Sequence, residues 1–391
     1  MTSTKLSQNH TITPKKFRNF VFYLHRYLGL VLGLIIVVIG LTGTLWMFDA
    51  EVYRLVLGKR LTQVTPQGQP LPLNVLVEKV QAAYSSQPDL KVGTISPDYF
   101  QTGTSPASVG IIDKNGISLD VLLNPYTGEI LGTHQTTGDW LDIAGQLHIG
   151  SVAGDTGMIV YGIIGLLMFI LCITGIFLWP GWRKLVTGFK IKLNAHPKRT
   201  NFDIHKVVGI FAAVFLAILG FTGFCMNWGS MVNPVIYAIT FSPSPPEPTL
   251  VSVPIPGKKP ISLQQAIQIS NTALPGATTP IIWLPTTPED TYTFRKHFPE
   301  DLNSSGSSEV YVDQYSGKVL WVRSIRQISR GDKVIEWIGN LHFGNYGGHT
   351  TEIIYGLVGI TPTILLITGF VMWWYRYQKK NRKQPPEFYD Q

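Results

Sequence analysis

The chain has 391 residues, of which 45% are hydrophobic and 14% are charged, and its mean hydropathy is +0.15. A soluble protein of this length usually needs fewer apolar side chains, so the composition favours a membrane protein. The formal net charge is +8, and the basic residues cluster beside the apolar stretches. That arrangement indicates membrane topology and contact with anionic lipid, and it argues against a nucleic-acid partner.

Four uncharged stretches are long enough to cross a bilayer core of about 30 Å as helices. They are residues 27–48, 158–179, 207–228 and 353–375. Lys and Arg cluster before the first stretch, between the second and third, and after the fourth. By the positive-inside rule both termini are therefore predicted to be cytoplasmic, and the two long intervening segments are predicted to lie on the outer side of the membrane.

Each outer segment is predicted to fold as a small α+β module. Each ends in a hairpin pattern, VLLNPYTGEILG at 121–132 and VYVDQYSGKVLW at 310–321, in which β-forming residues flank a Thr-Gly or Ser-Gly turn. Each also has an amphipathic stretch typical of a helix, PLNVLVEKVQAAY in the first and SLQQAIQISNTAL in the second. The proline-rich segment 241–260 is predicted to be extended chain leading into the second module.

The sequence repeats itself at nearly constant spacing. LHRYLGLVLGLIIVVIGLTGTL around His25 matches IHKVVGIFAAVFLAILGFTGFC around His205, at an offset of 180 residues. LHIG at His148 matches LHFG at His342, at an offset of 194 residues. The pattern predicts one unit of helix, outer module and helix that occurs twice in parallel, with an approximate two-fold axis along the membrane normal.

Such an axis brings the repeated histidines together in pairs. His25 would face His205 towards the inner side, and His148 would face His342 towards the outer side. Two imidazoles opposed across a helical bundle are the ligands of a bis-histidine b-type haem. The sequence therefore predicts two b-type haems, one per leaflet, with these four histidines as axial iron ligands. No CxxCH motif occurs, so covalent attachment is not expected.

Glycines recur at fixed spacings after the repeated histidines and are predicted to belong to the haem sites. They are Gly29 and Gly209, four residues after the inner histidines, and Gly150 and Gly344, two residues after the outer ones. A glycine four residues on lies on the same helix face as the histidine, so no side chain there blocks a flat macrocycle. The apolar stretches also carry Thr-Gly steps, which allow a helix or a cofactor to approach closely.

The remaining histidines do not recur at the repeat offsets and are not predicted to be ligands. They are His10, His134, His196, His297 and His349. His349 is the main rival of His342, but NYGG between them should break any helix that would align the two. His349 is therefore predicted to be a helix-start or acceptor-side residue.

At this point the sequence resembles a known family. Three motifs are similar to those of the PepSY-associated transmembrane family, often called iron-regulated membrane proteins: LHRYLGL…LTGTLW, LHIG…YG…TGIFLW and DQYSGKVL. The resemblance covers roughly residues 16–377. That family includes bis-haem ferric-siderophore reductases of Gram-negative inner membranes. The resemblance implies a bundle of four transmembrane helices in tandem parallel repeat, two small α+β PepSY-like periplasmic domains, and haem ligation by the four repeated histidines.

The resemblance also implies a haem-dependent oxidoreductase in the bacterial inner membrane. Electrons would pass from a cytoplasmic or quinol donor to a periplasmic acceptor, a ferric siderophore, whose iron is released on reduction. The expected segments are a cytoplasmic N-terminus (1–24), TM1 (25–48), a first periplasmic domain (49–145), a haem-ligand segment with TM2 (146–180), a basic cytoplasmic loop (181–204), TM3 (205–228), a second periplasmic domain (229–340), a haem-ligand segment with TM4 (341–376) and a cytoplasmic tail (377–391).

Three other functions stay open. A PepSY-type regulatory or protease-inhibitory membrane protein would need no cofactor, and the symmetric histidines argue against it. A di-haem protein could instead deliver electrons to a non-iron periplasmic acceptor. A transporter would fit a parallel repeat, but ion-coupled carriers usually place Asp or Glu in mid-membrane, and the four apolar stretches contain neither.

One segment of the second outer module suggests an acceptor surface. WLPTTPEDTYTFRKHF at 283–298 contains Arg295 and Lys296 close to Tyr292, Phe294 and Phe298. Basic and aromatic side chains together suit an anionic, ring-bearing ferric chelate. A β-strand with one solvated face explains the same pattern without any ligand.

Overall fold

The computed structural model describes residues 14–87, 89–99, 102–245 and 248–381. The helices are α1 (Pro14–Met47), α2 (Asp49–Leu57), α3 (Lys59–Thr62), α4 (Leu73–Ala83), α5 (Trp140–Ile149), α6 (Gly154–Leu178), α7 (Leu185–Phe189), α8 (Pro197–Asn227), α9 (Gly229–Ile239), α10 (Leu263–Ala273), α11 (Arg330–Phe343) and α12 (Gly348–Asn381). The strands are β1 (Lys91–Ser96), β2 (Ala107–Ile112), β3 (Ser118–Leu123), β4 (Ile130–Gln135), β5 (Thr278–Trp283), β6 (Thr291–His297), β7 (Ser308–Asp313) and β8 (Val319–Arg323).

These elements form two compact units. The membrane unit comprises the described residues within Met1–Thr44, Leu147–Trp228 and Ile353–Gln391. The sheet unit comprises those within Leu45–Gln146 and Gly229–Glu352. The outer parts of the predicted cytoplasmic N-terminus and tail, 1–13 and 382–391, lie outside the described residues.

Among the described residues, four helical segments are long and apolar enough to span a membrane, which confirms that the chain is a membrane protein. They are Lys15–Met47, Ser151–Trp182, Pro197–Asn227 and Asn345–Gln378. Each is longer than the roughly 20 residues that a bilayer core requires, so each extends past the apolar core into polar surroundings.

All four membrane helices begin before the uncharged stretches that predicted them, and α1 and α8 do so by the largest margin. The stretches start at 27 and 207, whereas α1 already includes Pro14 and α8 begins at Pro197. Proline suits the first helical position because its φ is preset and it needs no N–H partner there. The His196 side chain accepts a hydrogen bond from the backbone N–H of Lys198, which caps α8. His25 and His205 therefore lie inside continuous helices and not at their first residues.

Close helix crossings hold the membrane unit together. A methyl group on Gly165 of α6 would lie 2.8 Å from the carbonyl oxygen of Gly220 in α8, so these backbones touch. Gly40 of α1 and Gly359 of α12 meet in the same way, with a methyl on Gly359 placed 2.9 Å from the Gly40 carbonyl oxygen. Small residues are the usual means of such approach in membranes. The two crossings use the repeat-related positions, at offsets of 180 and 194 residues.

The sheet unit is built on one antiparallel sheet of eight strands, in the order β4-β3-β2-β1-β5-β6-β7-β8. Each half of the chain contributes a four-stranded meander and one helix, α4 or α10, that packs on the shared core. The halves join where β1 pairs with β5, Ile95 opposite Ile282, and both side chains are fully buried. The two predicted modules are thus one continuous sheet, in which each half covers the edge strand that the other would expose.

Both hairpin turns lie where the sequence predicts them, between β3 and β4 and between β7 and β8. Gly128 and Gly317 adopt left-handed φ values of 70° and 73°, which only glycine takes without strain. Asn124 accepts a hydrogen bond from the turn amide of Tyr126, and Asp313 accepts one from that of Tyr315. The two amphipathic stretches are α4 and α10, and the described part of 241–260 contains neither helix nor strand.

Candidate functional site

Two of the four repeated histidines face each other inside the membrane unit. His25 lies on α1 and His205 on α8, their ring centroids are 6.4 Å apart, and the ring planes are nearly perpendicular at 89°. The structure therefore brings together the predicted inner pair, although the two residues are 180 positions apart in the chain.

Both inner rings are oriented by threonines that the sequence analysis did not single out as site residues. Nδ1 of His25 lies 3.0 Å from Oγ1 of Thr174, and Nδ1 of His205 lies 2.8 Å from Oγ1 of Thr368. Each threonine hydroxyl donates its own proton to a carbonyl of its helix. The imidazole Nδ1–H must then be the donor to each threonine, which leaves the Nε2 lone pair of each ring available to a metal.

The glycine after each of these threonines provides room for the imidazole. A methyl group on Gly175 would lie 3.1 Å from Cε1 of His25, and one on Gly369 would lie 3.5 Å from Cε1 of His205. The Thr-Gly step thus combines a hydrogen-bond acceptor with a flat surface for the ring. This repeated dipeptide was the sequence signal that could have identified both threonines.

The spacing of the inner pair fits two axial ligands on one iron. Metal–imidazole bonds are about 2 Å long and the ring centre lies about 1 Å beyond the nitrogen, so two opposed ligands have centroids about 6 Å apart. The observed separation is 6.4 Å. Among the described residues no group of three or more His, Cys, Asp or Glu side chains could hold a metal ion. Two nitrogen ligands alone suit a metal whose other positions are filled by a macrocycle.

The predicted inner glycines border this pair. A methyl group on Gly29 would lie 3.8 Å from Leu171, and one on Gly209 would lie 3.6 Å from Leu365, both ordinary van der Waals distances. The two positions have matching surroundings, an apolar leucine from the neighbouring helix. Their role in making room for a macrocycle stays a prediction.

The two outer histidines belong to different units. His148 lies in the membrane unit, where its Nδ1 is 2.9 Å from the carbonyl oxygen of Ile39. Its ring packs on Gly43, where a methyl group would be only 2.7 Å from Nδ1. His342 lies in the sheet unit, in the last turn of α11, with its ring 5.7 Å from that of Phe343. The pairing of His148 with His342 stays a prediction.

The glycines after the outer histidines end their helices. Gly150 and Gly344 have φ values of 83° and 75°, the left-handed conformation that terminates α-helices. Gly344 caps α11, and Gly150 directly follows α5. Their recurrence therefore has a backbone explanation, and a role beside a macrocycle is a separate prediction.

His349 lies apart from the helix that carries His342. A short turn, Asn345–Gly347, separates α11 from α12, and His349 is in the first turn of α12. Its side chain is 91% exposed and its Nδ1 lies 2.7 Å from Glu352. The break that NYGG predicts is present, and His349 is a helix-start residue.

The basic and aromatic residues of 283–298 do not form an acceptor surface. Three of these side chains are at most 1% exposed and belong to the core of the sheet unit: Phe294, Lys296 and Phe298. The Lys296 amino group donates to Asn271 and Thr279, at 2.6 and 2.8 Å, and burial lowers its pKa to about 8.

Only Arg295 of this set keeps a charged group near the surface, and it is already paired. Its guanidinium lies 3.1 Å from the Glu309 carboxylate and is about one third exposed. The pattern is therefore explained by a β-strand without a ligand. The cationic side chains of this strand are buried or in ion pairs and do not form a solvated face.

A cavity of about 210 Å³ lies elsewhere in the sheet unit. It is lined by Trp46, Asp49, Tyr53, Thr136, Thr137, Leu141 and Asp142. Two carboxylates and two aromatic rings border it, so its charge favours a cationic or neutral guest over an anion. The charge of this cavity is negative, whereas the acceptor surface suggested by the sequence was positive.

The family comparison covers almost the whole of this architecture. The PepSY-associated TM region family matches residues 22–376, a range that contains most of each of the four membrane-spanning helices and the entire sheet unit. No curated protein matches the chain. The membrane-spanning helices, the antiparallel sheet and the extent of the match agree, and the chain belongs to the PepSY-associated transmembrane family.

Proposed function

We propose that this protein is a di-haem reductase of the bacterial inner membrane, which moves electrons from a cytoplasmic or quinol donor to a periplasmic acceptor. The observation that carries the proposal is the inner pair, His25 and His205, with centroids 6.4 Å apart and both Nδ1 atoms hydrogen-bonded. His25 and His205 would hold a haem between them, and a haem held by two histidines would suit one-electron transfer. The basic clusters support cytoplasmic termini.

Each residue of the inner pair has a defined task. His25 and His205 would hold the iron through Nε2, and Thr174 and Thr368 fix ring orientation and raise the basicity of the ligands. When bound, haem supplies reversible one-electron chemistry. Leu171 and Leu365 from neighbouring helices lie beside Gly29 and Gly209, so the positions after both histidines have apolar neighbours that would limit the access of water to a bound haem.

The second haem is proposed from the repeat. The glycine crossings of α1 with α12 and of α6 with α8 use corresponding positions, and β1 pairs with β5 at the centre of the sheet. Both features support a parallel duplication with an approximate two-fold axis. That axis would pair His148 with His342 as it pairs His25 with His205, and it would give one site for electron entry and one for exit.

A ferric siderophore is the proposed acceptor, on the strength of the family resemblance and of iron chemistry. Fe(II) is held less tightly than Fe(III) by hard oxygen ligands, so reduction releases the metal. The burial of Lys296 removes the basic surface that favoured an anionic chelate. The cavity bordered by Asp49 and Asp142 instead favours a neutral or cationic chelate.

Reoxidation of the reduced protein tests this function. The purified protein is reduced anaerobically, ferric chelates of negative, neutral and positive charge are added, and haem absorbance is followed. Reoxidation by the chelates, with the neutral or cationic ones faster, is expected. If all chelates leave the protein reduced while another periplasmic oxidant reoxidises it, the acceptor is not iron. A colourless protein would favour the regulatory alternative.

A further inference from the structure

The residue after the first inner histidine is a cation in unusual surroundings. Arg26 lies on α1, and its guanidinium carbon is 5.8, 5.0 and 4.6 Å from the ring centroids of Phe22, Tyr23 and Tyr27. One terminal nitrogen donates to the Tyr27 hydroxyl at 2.8 Å. The Nε–H is buried and has no hydrogen-bond partner among the described residues. A buried, unused donor on a charged group calls for an explanation.

Within the part of the chain that the structure describes, the charge of Arg26 is not neutralised. No carboxylate of the described residues forms an ion pair with it. An ionisable side chain within a membrane-spanning helix is costly, and such residues usually face a partner or a ligand. The aromatic rings hold the guanidinium in place and supply cation–π attraction, but they leave its net charge unchanged.

The equivalent residue of the other half, Lys206, is neutralised by an ion pair. Lys206 follows His205 as Arg26 follows His25, and its amino group lies 2.7 Å from Asp203 and 2.7 Å from the carbonyl oxygen of Thr187. Asp203 is fully buried. At the offset of 180 residues the place of Asp203 is taken by Tyr23. One inner histidine therefore neighbours a compensated cation, and the other neighbours an uncompensated one.

A second cation lies close to Arg26. The guanidinium carbon of Arg376, near the end of α12, is 4.7 Å from the centroid of the Phe22 ring that also contacts Arg26. Arg376 has no ion pair among the described residues either. Two guanidinium groups around one ring give this end of α1 a local positive field that favours an anion.

We propose that Arg26 is an anion-binding residue of the inner site, and that its ligand is a carboxylate of the haem held by His25 and His205. The inference rests on the proposed function, since b-type haem carries two propionate carboxylates. Arginine suits a carboxylate because its N–H groups form a planar fork. Arg26 directly follows His25 on the same helix, so the cation and the iron ligand lie at nearly the same depth.

The test compares haem with iron protoporphyrin dimethyl ester, which lacks free carboxylates. Both porphyrins are loaded into full-length apoprotein carrying His148→Ala and His342→Ala, so that only the inner pair can hold iron. Transfer of porphyrin to apomyoglobin is then timed. With Arg26 intact, the ester should leave about tenfold faster than haem, the loss expected for one charge-assisted hydrogen bond.

Variants of Arg26 identify the source of that difference. In Arg26→Gln most of the tenfold ratio should disappear, and Arg26→Lys, which keeps the charge without the fork, should give an intermediate ratio. Arg18→Gln removes an exposed cation from the same helix and should leave the ratio unchanged.

The outcomes separate this inference from the function on which it rests. If Arg26→Gln takes up haem and the ratio of the ester and haem transfer rates is the same as with Arg26 intact, the inference alone is overturned. Equal rates for both porphyrins with Arg26 intact, combined with less co-purified phosphatidylglycerol in Arg26→Gln, would assign the anion to a lipid phosphate and also overturn it. Failure of the protein to take up any haem overturns the proposed function, and the inference with it.

Discussion

At the scale of single residues, the inner site is defined by hydrogen bonds to the ring atoms that would not touch iron. Thr174 and Thr368 accept from the Nδ1 atoms of His25 and His205, at 3.0 and 2.8 Å. Such partners fix the tautomer and increase ligand basicity, which stabilises the oxidised metal. In the proposed site these hydrogen bonds would leave Nε2 of both histidines available to the iron, and Nδ1 of His25 has the Leu171 carbonyl as a second acceptor, 3.1 Å away.

Replacing either threonine by valine should weaken the inner site without unfolding the helix. Both variants keep the branched shape, but Thr368→Val removes the hydroxyl acceptor of His205, whereas Thr174→Val leaves His25 the Leu171 carbonyl, 3.1 Å from its Nδ1. Haem affinity of the inner site should therefore fall about ten- to hundredfold in Thr368→Val and less in Thr174→Val, and the midpoint potential should rise in both. Potentiometric titration with haem-transfer kinetics measures both. Thr361→Val is the matched control, because the Thr361 hydroxyl bonds only to a carbonyl of its own helix. Equal behaviour of all three variants would contradict the role.

Lys296 gives the sheet unit a pH-dependent stability. Burial lowers its folded-state pKa to about 8 from an ordinary value of 10.5, so the charged form is disfavoured in the folded protein. Burying the charged amino group lowers the free energy of unfolding by its full amount below pH 8, and this penalty disappears as the pH rises towards 10.5. Relative to Lys296→Met, the native protein should gain up to about 3 kcal/mol of stability across this window.

Thermal unfolding of the detergent-purified protein between pH 7.5 and about 10.5 checks this prediction. The difference in midpoint between the native protein and Lys296→Met should change steadily with pH. Lys318→Met removes an exposed lysine from the β7–β8 turn and should give a pH-independent difference. If the difference for Lys296→Met were also independent of pH, the pKa of Lys296 would not be lowered in the folded protein, and the prediction would be wrong.

At the scale of elements, tyrosine–aspartate bonds hold the helices that carry the outer histidines. Tyr53 of α2 donates to Asp139, just before α5, at 2.6 Å, and Tyr237 of α9 donates to Asp332, in the first turn of α11, at 2.7 Å. Burial, together with the bond to Asp332, raises the pKa of Tyr237 to about 12, so it stays a donor at physiological pH. Each bond anchors the start of a helix whose last turn contains His148 or His342.

Removing either hydroxyl should loosen the outer site selectively. Tyr53→Phe and Tyr237→Phe each lose a hydrogen bond to a carboxylate, worth about 1.5–3 kcal/mol, so the outer haem should be lost more readily while the inner one is retained. Spectra of the outer haem in a His25→Ala background and of the inner haem in a His148→Ala background measure this. Tyr311→Phe removes a similar bond to Glu309 within the sheet and serves as control. Loss of the inner haem in Tyr53→Phe or Tyr237→Phe would contradict the assignment.

The sequence predicted the elements whose signals are local. The four apolar spans, α4, α10 and both hairpin turns follow from periodicity and turn chemistry, which are properties of neighbouring residues. The true starts of α1 and α8 were missed, because a search for uncharged residues stops at the first cation although Lys and Arg are good helix formers. The short helices α2, α3 and α9 were not predicted.

Features that depend on distant residues were predicted only through the repeat. The repeat predicted that His25 and His205 would face each other, but not that Thr174 and Thr368 would orient them. Nor did it predict the pairing of β1 with β5, because strand pairing between remote segments leaves no local pattern. For 283–298 the sequence left both an acceptor surface and a plain strand open, because alternation alone does not tell which face of β6 is covered.

At the scale of the whole molecule, two halves of similar sequence combine into shared structures. The sheet is continuous across Ile95 and Ile282, and in the membrane unit two matched glycine crossings each join a helix of one half to a helix of the other. A site formed between such halves would take one ligand from each, as the facing rings of His25 and His205 suggest. The central claim is that this arrangement holds two haems.

A pyridine haemochrome assay on the purified protein and four single variants tests that claim most directly. The native protein should contain two haems per chain, and replacing any one of His25, His205, His148 or His342 by Ala should leave one. His25→Ala and His205→Ala should empty the same site, whereas His148→Ala should empty the other. A native protein with almost no haem, or His25→Ala and His148→Ala emptying the same site, would contradict the account.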